Sequence, residues 1–313
     1  MREIVVFAGA SHPALAEEIC GRLGVALSPS TTKRFANDCL EAQLLANCRE
    51  RDVFLIQTLS APVQDHLVEL LLMVDAARGA SAARITVVMP FYAYARSDKK
   101  DAPRISIGGR LVADLLATAG ASRVLTMALH APQVHGFFST PCDHLHAQHE
   151  LAEYFRDHCD LSNTVVVAPD MGYAKQAAAF ARRLGLPVAL GAKQRISDTK
   201  VVISAIIGET AGKDAIIIDD EIAAGTTVIE AMGHLRAHGI RQVRIACTHG
   251  LFGRDSLARL AAEPEIAEIV TMNTVPIAPE KRIDKLTVLS VAPALAETMR
   301  RIHEGESVSE LFD

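Results

Sequence analysis

An acidic stretch that follows an apolar run has the residue types and spacing of a ligand site. The apolar run occupies residues 215–218, and the acids after it are Asp219, Asp220 and Glu221. The small residues that come next are Ala223, Ala224, Gly225, Thr226 and Thr227. Adjacent carboxylates repel each other, and this cost is lowest where they bind a hydroxyl-rich ligand or a divalent ion. Small residues let backbone N–H groups surround a phosphate at the start of a helix, so the stretch predicts a site for a phosphorylated sugar.

Two other interpretations of this stretch are open. The acids could form an exposed turn, with the next helix capped from Thr226 or Thr227. A phosphorelay receiver also places paired acids at the end of a strand, but the length of the chain and the internal repeat described below do not fit that class.

The elements that must position these residues alternate between strands and helices. Apolar, β-branched runs bounded by turn residues predict strands at 3–7, 52–57, 84–89, 123–128, 164–168, 215–218, 242–247 and 268–273. Near-continuous apolar runs are typical of strands that are covered on both faces. Between them lie helical patterns with start signals, such as Ser11 before Pro13 in a helix that is expected to stop at Gly24. The alternation predicts a mostly parallel α/β fold.

An internal repeat indicates that this fold occurs twice. Residues 116–130 align with residues 235–249, which pairs Gly120 with Gly239 and His130 with His249. Both copies have the pattern of a helix end, a glycine turn and a strand with a histidine at its carboxyl end. The predicted boundary lies near residues 143–150, where the three histidines of DHLHAQHE also allow a metal site. A solvated linker or helix start is favoured, because no cysteine or second cluster completes a coordination shell.

Composition limits the class of protein. The 313 residues are 50% apolar and 22% charged, which is enough for a large core and about two domains. The net charge of −5 gives no broad basic face, so nucleic acid is not an expected partner. The six scattered cysteines form no Cys-x-x-Cys pair and suit a reducing cytoplasm. No export signal is recognised, and the most apolar helix pattern, at 67–77, is too short to span a membrane.

The chain resembles the ribose-phosphate diphosphokinases, also called phosphoribosyl-pyrophosphate synthetases, nearly from end to end. The blocks that carry the resemblance are RF at 34–35, SAPVQDHLVELLLMVDAA at 60–77, PFYAYARSDKKD at 90–101, LHAPQVHGFF at 129–138, APDMG at 168–172 and IHEGESVSELF at 302–312. The resemblance implies two tandem type I phosphoribosyltransferase-like domains, each a mostly parallel sheet flanked by helices. We expect them at 1–145 and 146–313, with the second carrying the ribose 5-phosphate loop; the last residues of the chain could pack on the first.

The resemblance also implies roles for individual residues. Asp219 and Asp220 match the acids that hold the ribose hydroxyls. Ala223, Ala224, Gly225, Thr226 and Thr227 match the loop around the 5-phosphate. Lys193 and Arg195 match the catalytic cations of a mobile segment, where they would neutralise the transferring diphosphoryl group. From the residues alone, two basic side chains in a surface loop are also ordinary.

The nucleotide and metal sites are implied in the same way. The positions that match the ATP site are Phe35, Asn37, Arg96, Ser97 and Asp101. Phe35 would stack on adenine from a neighbouring subunit, although a lone phenylalanine is also typical of a core. His130 and Asp170 match the metal site, and the reaction class requires Mg²⁺. From the residue alone, His130 is better interpreted as a hydrogen-bonded histidine at a strand end, and His249 is interpreted as structural.

The expected function is transfer of the β,γ-diphosphoryl group of Mg-ATP to the C1 hydroxyl of ribose 5-phosphate. We also expect a cytoplasmic homo-oligomer, a dimer or a hexamer. Several positions depart from the family pattern: Asn37, Cys39, Ser97, Ala128, Ala223, Ala224 and Thr226. They motivate an alternative, a catalytically weak or silent regulatory homologue that associates with an active synthetase. A phosphoribosyltransferase that consumes the diphosphate is a third possibility, and the internal duplication argues against it.

Overall fold

The chain forms two compact units. The computed structural model describes residues 2–197 and 200–309, with side chains described outside residues 192–205. Unit 1 comprises residues 2–146, 274–276 and 290–309, and unit 2 comprises residues 147–273 and 277–289 without 198 and 199. The expected domains 1–145 and 146–313 remain a prediction, while the segments 274–276 and 290–309 pack with unit 1.

Unit 1 is built on a parallel sheet. Its strands, in spatial order, are β1 (Ile4–Ala8), β4 (Asp52–Ile56), β5 (Arg84–Met89), β6 (Arg123–Met127) and β7 (Cys142–Leu145). Its helices are α1 (Pro13–Leu23), α2 (Val63–Gly79), α3 (Gly108–Ala119) and α8 (Ala292–Glu304). A separate antiparallel hairpin consists of β2 (Ser30–Arg34) and β3 (Leu40–Leu44).

Unit 2 has a larger sheet that is parallel except at one edge. Its strands, in spatial order, are β10 (Lys200–Ile207), β9 (Val188–Ser197), β8 (Thr164–Ala168), β11 (Asp214–Ile222), β12 (Gln242–Gly250), β13 (Ile266–Met272) and β14 (Leu286–Leu289). The antiparallel pair is β9 with β10. Its helices are α4 (Gln148–His158), α5 (Ala174–Leu184), α6 (Thr226–Ala237) and α7 (Ser256–Ala262).

The predicted α/β class is confirmed, and the apolar runs explain why. Every residue of β4 and of β8 is buried, as expected for strands covered on both faces. The repeated segments have the same element order, α3 then β6 and α6 then β12, each with a glycine of positive φ at the turn. Among the helices of the described residues, none is both long and apolar enough to cross a bilayer.

The start of α1 differs from the prediction. His12, not Ser11, is the cap, and its Nδ1 accepts a hydrogen bond from the Leu15 N–H at 3.3 Å. The Ser11 hydroxyl instead donates to Gln57 Oε1 at 2.5 Å. Gly24 ends the helix as expected, with φ of 69°.

Candidate functional site

The paired acids lie inside a strand rather than after one. The predicted strand 215–218 extends through the acids, because Asp219 pairs with Cys247 and Glu221 pairs with His249 on the long neighbouring strand β12. β11 is central in its sheet, between β8 and β12. The carboxyl end of such a strand is where open parallel sheets bind ligands, so the fold places the acids at the expected edge.

The acid pair is largely removed from water. Asp220 is 4% exposed, and Asp219 is half-buried with its Oδ1 accepting the Asp220 N–H at 2.9 Å. Burial first, and then the charge of Asp220, raise the pKa of Asp219 well above its usual range. Asp170 adds to this rise in pKa. The acid pair therefore favours ligands that donate hydrogen bonds or bring positive charge.

The following loop makes a tight connection to α6. Gly225 has φ of 69°, the left-handed region that favours glycine, and Thr226 is the first residue of the helix. Thr226, which departs from the expected family pattern, therefore does not need the glycine conformation. Two loop carbonyls are already hydrogen-bonded: Ala223 O accepts from Gly253 N at 2.9 Å, and Ala224 O accepts from Arg259 Nη2 at 2.7 Å. The start of α6 supplies the backbone N–H groups and positive dipole end that suit a phosphate.

The capping interpretation of the acidic stretch is wrong. The acids belong to β11, and the N-cap of α6 is Gly225, which has no side chain to accept a hydrogen bond.

Asp170 and an unpredicted tyrosine lie on the same side of unit 2. Asp170 follows β8, the parallel neighbour of β11, and its Oδ1 accepts the Tyr173 N–H at 3.2 Å. Burial, then the charges of Asp220 and Asp219, raise the pKa of Tyr173 well above its usual range. The position directly after the APDMG block was the available signal for Tyr173.

Lys193 and Arg195 have backbone positions on β9. They pair with Ile203 and Val201 of β10, so this backbone is an edge hairpin and not a loop. Their side chains lie outside the described residues, and their catalytic assignment remains a prediction.

Phe35 and Asn37 lie at the turn of the β2–β3 hairpin. Phe35 is 50% exposed, so the alternative that it belongs to the core is wrong. Asn37 Oδ1 accepts the Cys39 N–H at 3.2 Å, and Arg34 donates to Asp38 at 2.6 Å, which order the turn. An exposed aromatic ring on an ordered turn is available to stack on a base.

The other predicted nucleotide residues follow β5 in unit 1. Arg96 ends a 3₁₀ turn and is exposed, and Asp101 is exposed with Lys99 Nζ at 3.9 Å. Ser97 has a structural role, because its Oγ accepts the Gly108 N–H at 2.8 Å and its carbonyl accepts the Gly109 N–H at 3.0 Å. Ser97 therefore ties the Arg96 loop to the start of α3.

The predicted metal positions belong to separate units, His130 to unit 1 and Asp170 to unit 2. His130 is exposed after β6, whereas its repeat partner His249 is 2% exposed within β12. His144 Nε2 accepts the Leu129 N–H at 2.8 Å and so fixes the turn before His130. Within residues 2–197 and 200–309, no group of three or more histidine, cysteine or acidic side chains is arranged to hold a metal ion. The carboxylate of Asp170 fits Mg²⁺, which keeps several waters and is commonly held by one or two carboxylates plus substrate phosphates.

Comparison with known proteins gives one consistent result. Residues 4–120 match a family model described as the N-terminal domain of ribose phosphate pyrophosphokinase, and residues 193–313 match the phosphoribosyl synthetase-associated domain. A Streptomyces coelicolor relative is 66% identical over 313 residues, covering 100% of this chain and 98% of its own. The Deinococcus radiodurans ribose-phosphate pyrophosphokinase is 49% identical, with 99% and 98% covered. The crystal structure of phosphoribosylpyrophosphate synthetase from Mycobacterium smegmatis superposes with a TM-score of 0.92 at 41% identity, covering 97% of this chain and 100% of that chain.

Proposed function

Because the chain belongs to the ribose-phosphate pyrophosphokinase family, we propose that it transfers the β,γ-diphosphoryl group of Mg-ATP to the C1 hydroxyl of ribose 5-phosphate. The family resemblance found in the sequence is confirmed by the same comparisons. The products of the reaction are AMP and 5-phosphoribosyl 1-diphosphate.

The observation that carries the proposal is the largely buried acid pair followed by the Gly225 turn. Asp219 and Asp220 lie near the carboxyl end of β11, which ends at Ile222, and α6 begins at Thr226. Carboxylates that accept hydrogen bonds from hydroxyl groups are thus followed, after one short connection, by backbone N–H groups that suit a phosphate. This arrangement matches the two ends of a sugar phosphate.

Within this proposal, the acid pair orients the sugar. Asp219 and Asp220 accept hydrogen bonds from the ribose hydroxyls, which offsets the repulsion between the two carboxylates. The loop from Ala223 through Ala224, Gly225 and Thr226 to Thr227 binds the 5-phosphate through backbone N–H groups. Binding at both ends of the sugar fixes the position of its C1 hydroxyl, which is the nucleophile.

The cations and the nucleotide residues complete the assignment. Lys193 and Arg195 neutralise the charge of the transferring group. The residues assigned to ATP are Phe35, Asn37, Arg96, Ser97 and Asp101. Phe35 stacks on the base, and the guanidinium of Arg96 donates to phosphate oxygens. The role of Ser97 is to position the Arg96 loop through its hydrogen bonds with the start of α3.

We assign Mg²⁺ binding to Asp170 of unit 2, and the family resemblance implies the same role for His130 of unit 1. When bound, Mg²⁺ neutralises phosphate charge and orients the diphosphate. Asp170 Oδ1 already accepts the Tyr173 N–H, which holds the carboxylate in place for this role.

Self-association and a cytoplasmic location belong to the same proposal. The exposed ring of Phe35 at the hairpin turn supports a nucleotide site completed by a neighbouring subunit, as in a dimer or a hexamer. All six cysteines are free thiols, which suits a reducing compartment.

A direct assay tests the proposed activity. Purified protein is incubated with ATP, Mg²⁺ and ribose 5-phosphate, and AMP is quantified with and without the sugar. AMP that forms only with the sugar supports the proposal. Absence of AMP from a folded protein would contradict it and favour the silent regulatory homologue.

A further inference from the structure

A cavity in unit 1 is lined by none of the residues assigned above. It has a volume of about 380 Å³ and sits where β1 ends and α1 begins. Its walls are mostly small or apolar and include Ala8, Ala10, Leu27, Ser28 and Pro29. The carboxyl end of a parallel strand is a favoured place for a ligand, and the volume is within the range of small-molecule sites.

The cavity contains one charged side chain, that of Glu69. Glu69 lies on α2 and is only 2% exposed. Its Oε2 accepts hydrogen bonds from the Ala10 N–H at 3.1 Å and from Gln57 Nε2 at 2.5 Å. Its Oε1 accepts from Thr32 Oγ1 at 2.5 Å. Amide nitrogens can only donate, so this set of partners suits an ionised carboxylate.

The charge of Glu69 is not balanced by the hydrogen-bond partners found in the described part of the chain, because all of them are neutral. A buried charge is costly unless it is paired with an opposite charge. Oε1 accepts one hydrogen bond here and can accept a second. The site therefore suits a ligand that brings both a positive charge and an N–H donor.

The carboxylate is held in a fixed position. Gln57, which is 1% exposed, donates to Glu69 and also to His66 O at 3.2 Å, while its Oε1 accepts from Ser11 N at 3.0 Å. A Cβ atom at Gly9 would lie 2.4 Å from Gln57 Oε1, so the glycine allows this close packing. A fixed acceptor lowers the cost of ordering when a ligand binds.

We infer that this cavity binds a small cation with N–H donors, either ammonium or a primary aliphatic ammonium. An N–H group donates to Glu69 Oε1, and a short carbon chain packs against Ala10, Leu27 and Pro29. A divalent metal fits poorly, because such ions prefer several oxygen ligands with more than one charge.

Calorimetric titration of the full chain with n-propylammonium chloride tests the inference. We expect saturable binding of one cation per chain with a Kd on the order of 1 mM, which is within the efficiency of very small ligands. Tetramethylammonium, which has no N–H donor, is expected to bind at least tenfold more weakly at equal ionic strength. An ammonium chloride titration separates the two sources: affinity equal to that of propylammonium assigns the ammonium ion, and weaker affinity assigns an alkylamine.

Variants localise the binding. Glu69→Gln should lower the affinity for propylammonium at least tenfold, whereas Asp75→Asn, an exposed acid on the same helix, should leave it unchanged. Ala10→Leu fills the cavity and keeps both the carboxylate and the backbone N–H, so it should also weaken binding at least tenfold. Wild-type affinity in Ala10→Leu, or no saturable heat with the wild-type chain, would overturn the inference even if Glu69→Gln failed to fold.

Discussion

The substitution Asp52→Asn is expected to destabilise unit 1 through a buried ionic cluster that ties α8 to the sheet. The side chain of Asp52 is 0% exposed. It accepts from Arg84 Nε at 3.0 Å, from a second Arg84 nitrogen, and from His303 Nδ1 at 2.7 Å. Arg84 also donates to the carbonyl of His303 at 3.3 Å. Asparagine keeps the size of the side chain but removes the negative charge that faces Arg84 and His303.

The expected loss in the free energy of unfolding depends on how deeply the partners of Asp52 are buried. Removing one member of a fully buried ion pair costs about 3–5 kcal/mol. The Arg84 side chain is 36% exposed, so water offsets part of that loss, whereas His303 is only 13% exposed. Asparagine can still accept one hydrogen bond. We therefore expect a loss of about 2 kcal/mol in the free energy of unfolding.

Urea unfolding measures this loss, and hydrogen exchange of the α8 amides shows whether the helix is released first. Asp114→Asn is the matched control, because it removes an ion pair whose side chains are 58% and 48% exposed. That control is expected to cost no more than about 0.5 kcal/mol. A loss for Asp52→Asn as small as that of the control would refute the reasoning.

Three further predictions concern the proposed activity and the acid pair. Lys193→Ala should abolish most turnover, measured as AMP formation, while calorimetry still detects ATP binding; near-normal turnover would remove Lys193 from the mechanism. Phe35→Ala should weaken ATP binding by about 1–3 kcal/mol, roughly 5- to 150-fold, as expected for loss of base stacking, and an unchanged Kd would reject that role. Asp219→Asn should stabilise unit 2 at pH 8 and lose this advantage as the pH falls toward about 4, because the folded pKa is raised while the unfolded value is about 3.9. Urea unfolding at several pH values checks the last prediction, and a stabilisation that does not depend on pH would contradict it.

Much of the fold could be predicted because the strands are buried on both faces. The predicted strand 84–89 matches β5, and the predicted strand 164–168 matches β8. The extension of β11 through its acids could not be read from composition, because it depends on pairing with β12. The hairpin of β9 and β10 was not predicted, because the polar residues at 193–195 are typical of a loop and the hairpin depends on pairing at the sheet edge.

The parts of the candidate site whose residues are adjacent in the sequence could be predicted. The acid pair and the Gly225 turn are adjacent in the chain, so their residue types alone indicated a site. Tyr173 follows β8, the neighbour of β11, and no periodic pattern in the sequence links it to the acid pair. The hydrogen bonds of Glu69 likewise join α2 to β2 and to the β1–α1 turn. In the sequence, Glu69 appears only as an acid in an apolar helix.

The most direct test of the central claim is the affinity of ribose 5-phosphate for a variant without the charges of the acid pair. The double variant Asp219→Asn, Asp220→Asn keeps side-chain size, and Asp157→Asn, which changes an exposed acid on α4, serves as the control in the same unit. Calorimetry is expected to show binding at least tenfold weaker than wild type for the double variant and unchanged for the control. Unaltered affinity in a folded double variant would contradict the assignment of the sugar site to these acids.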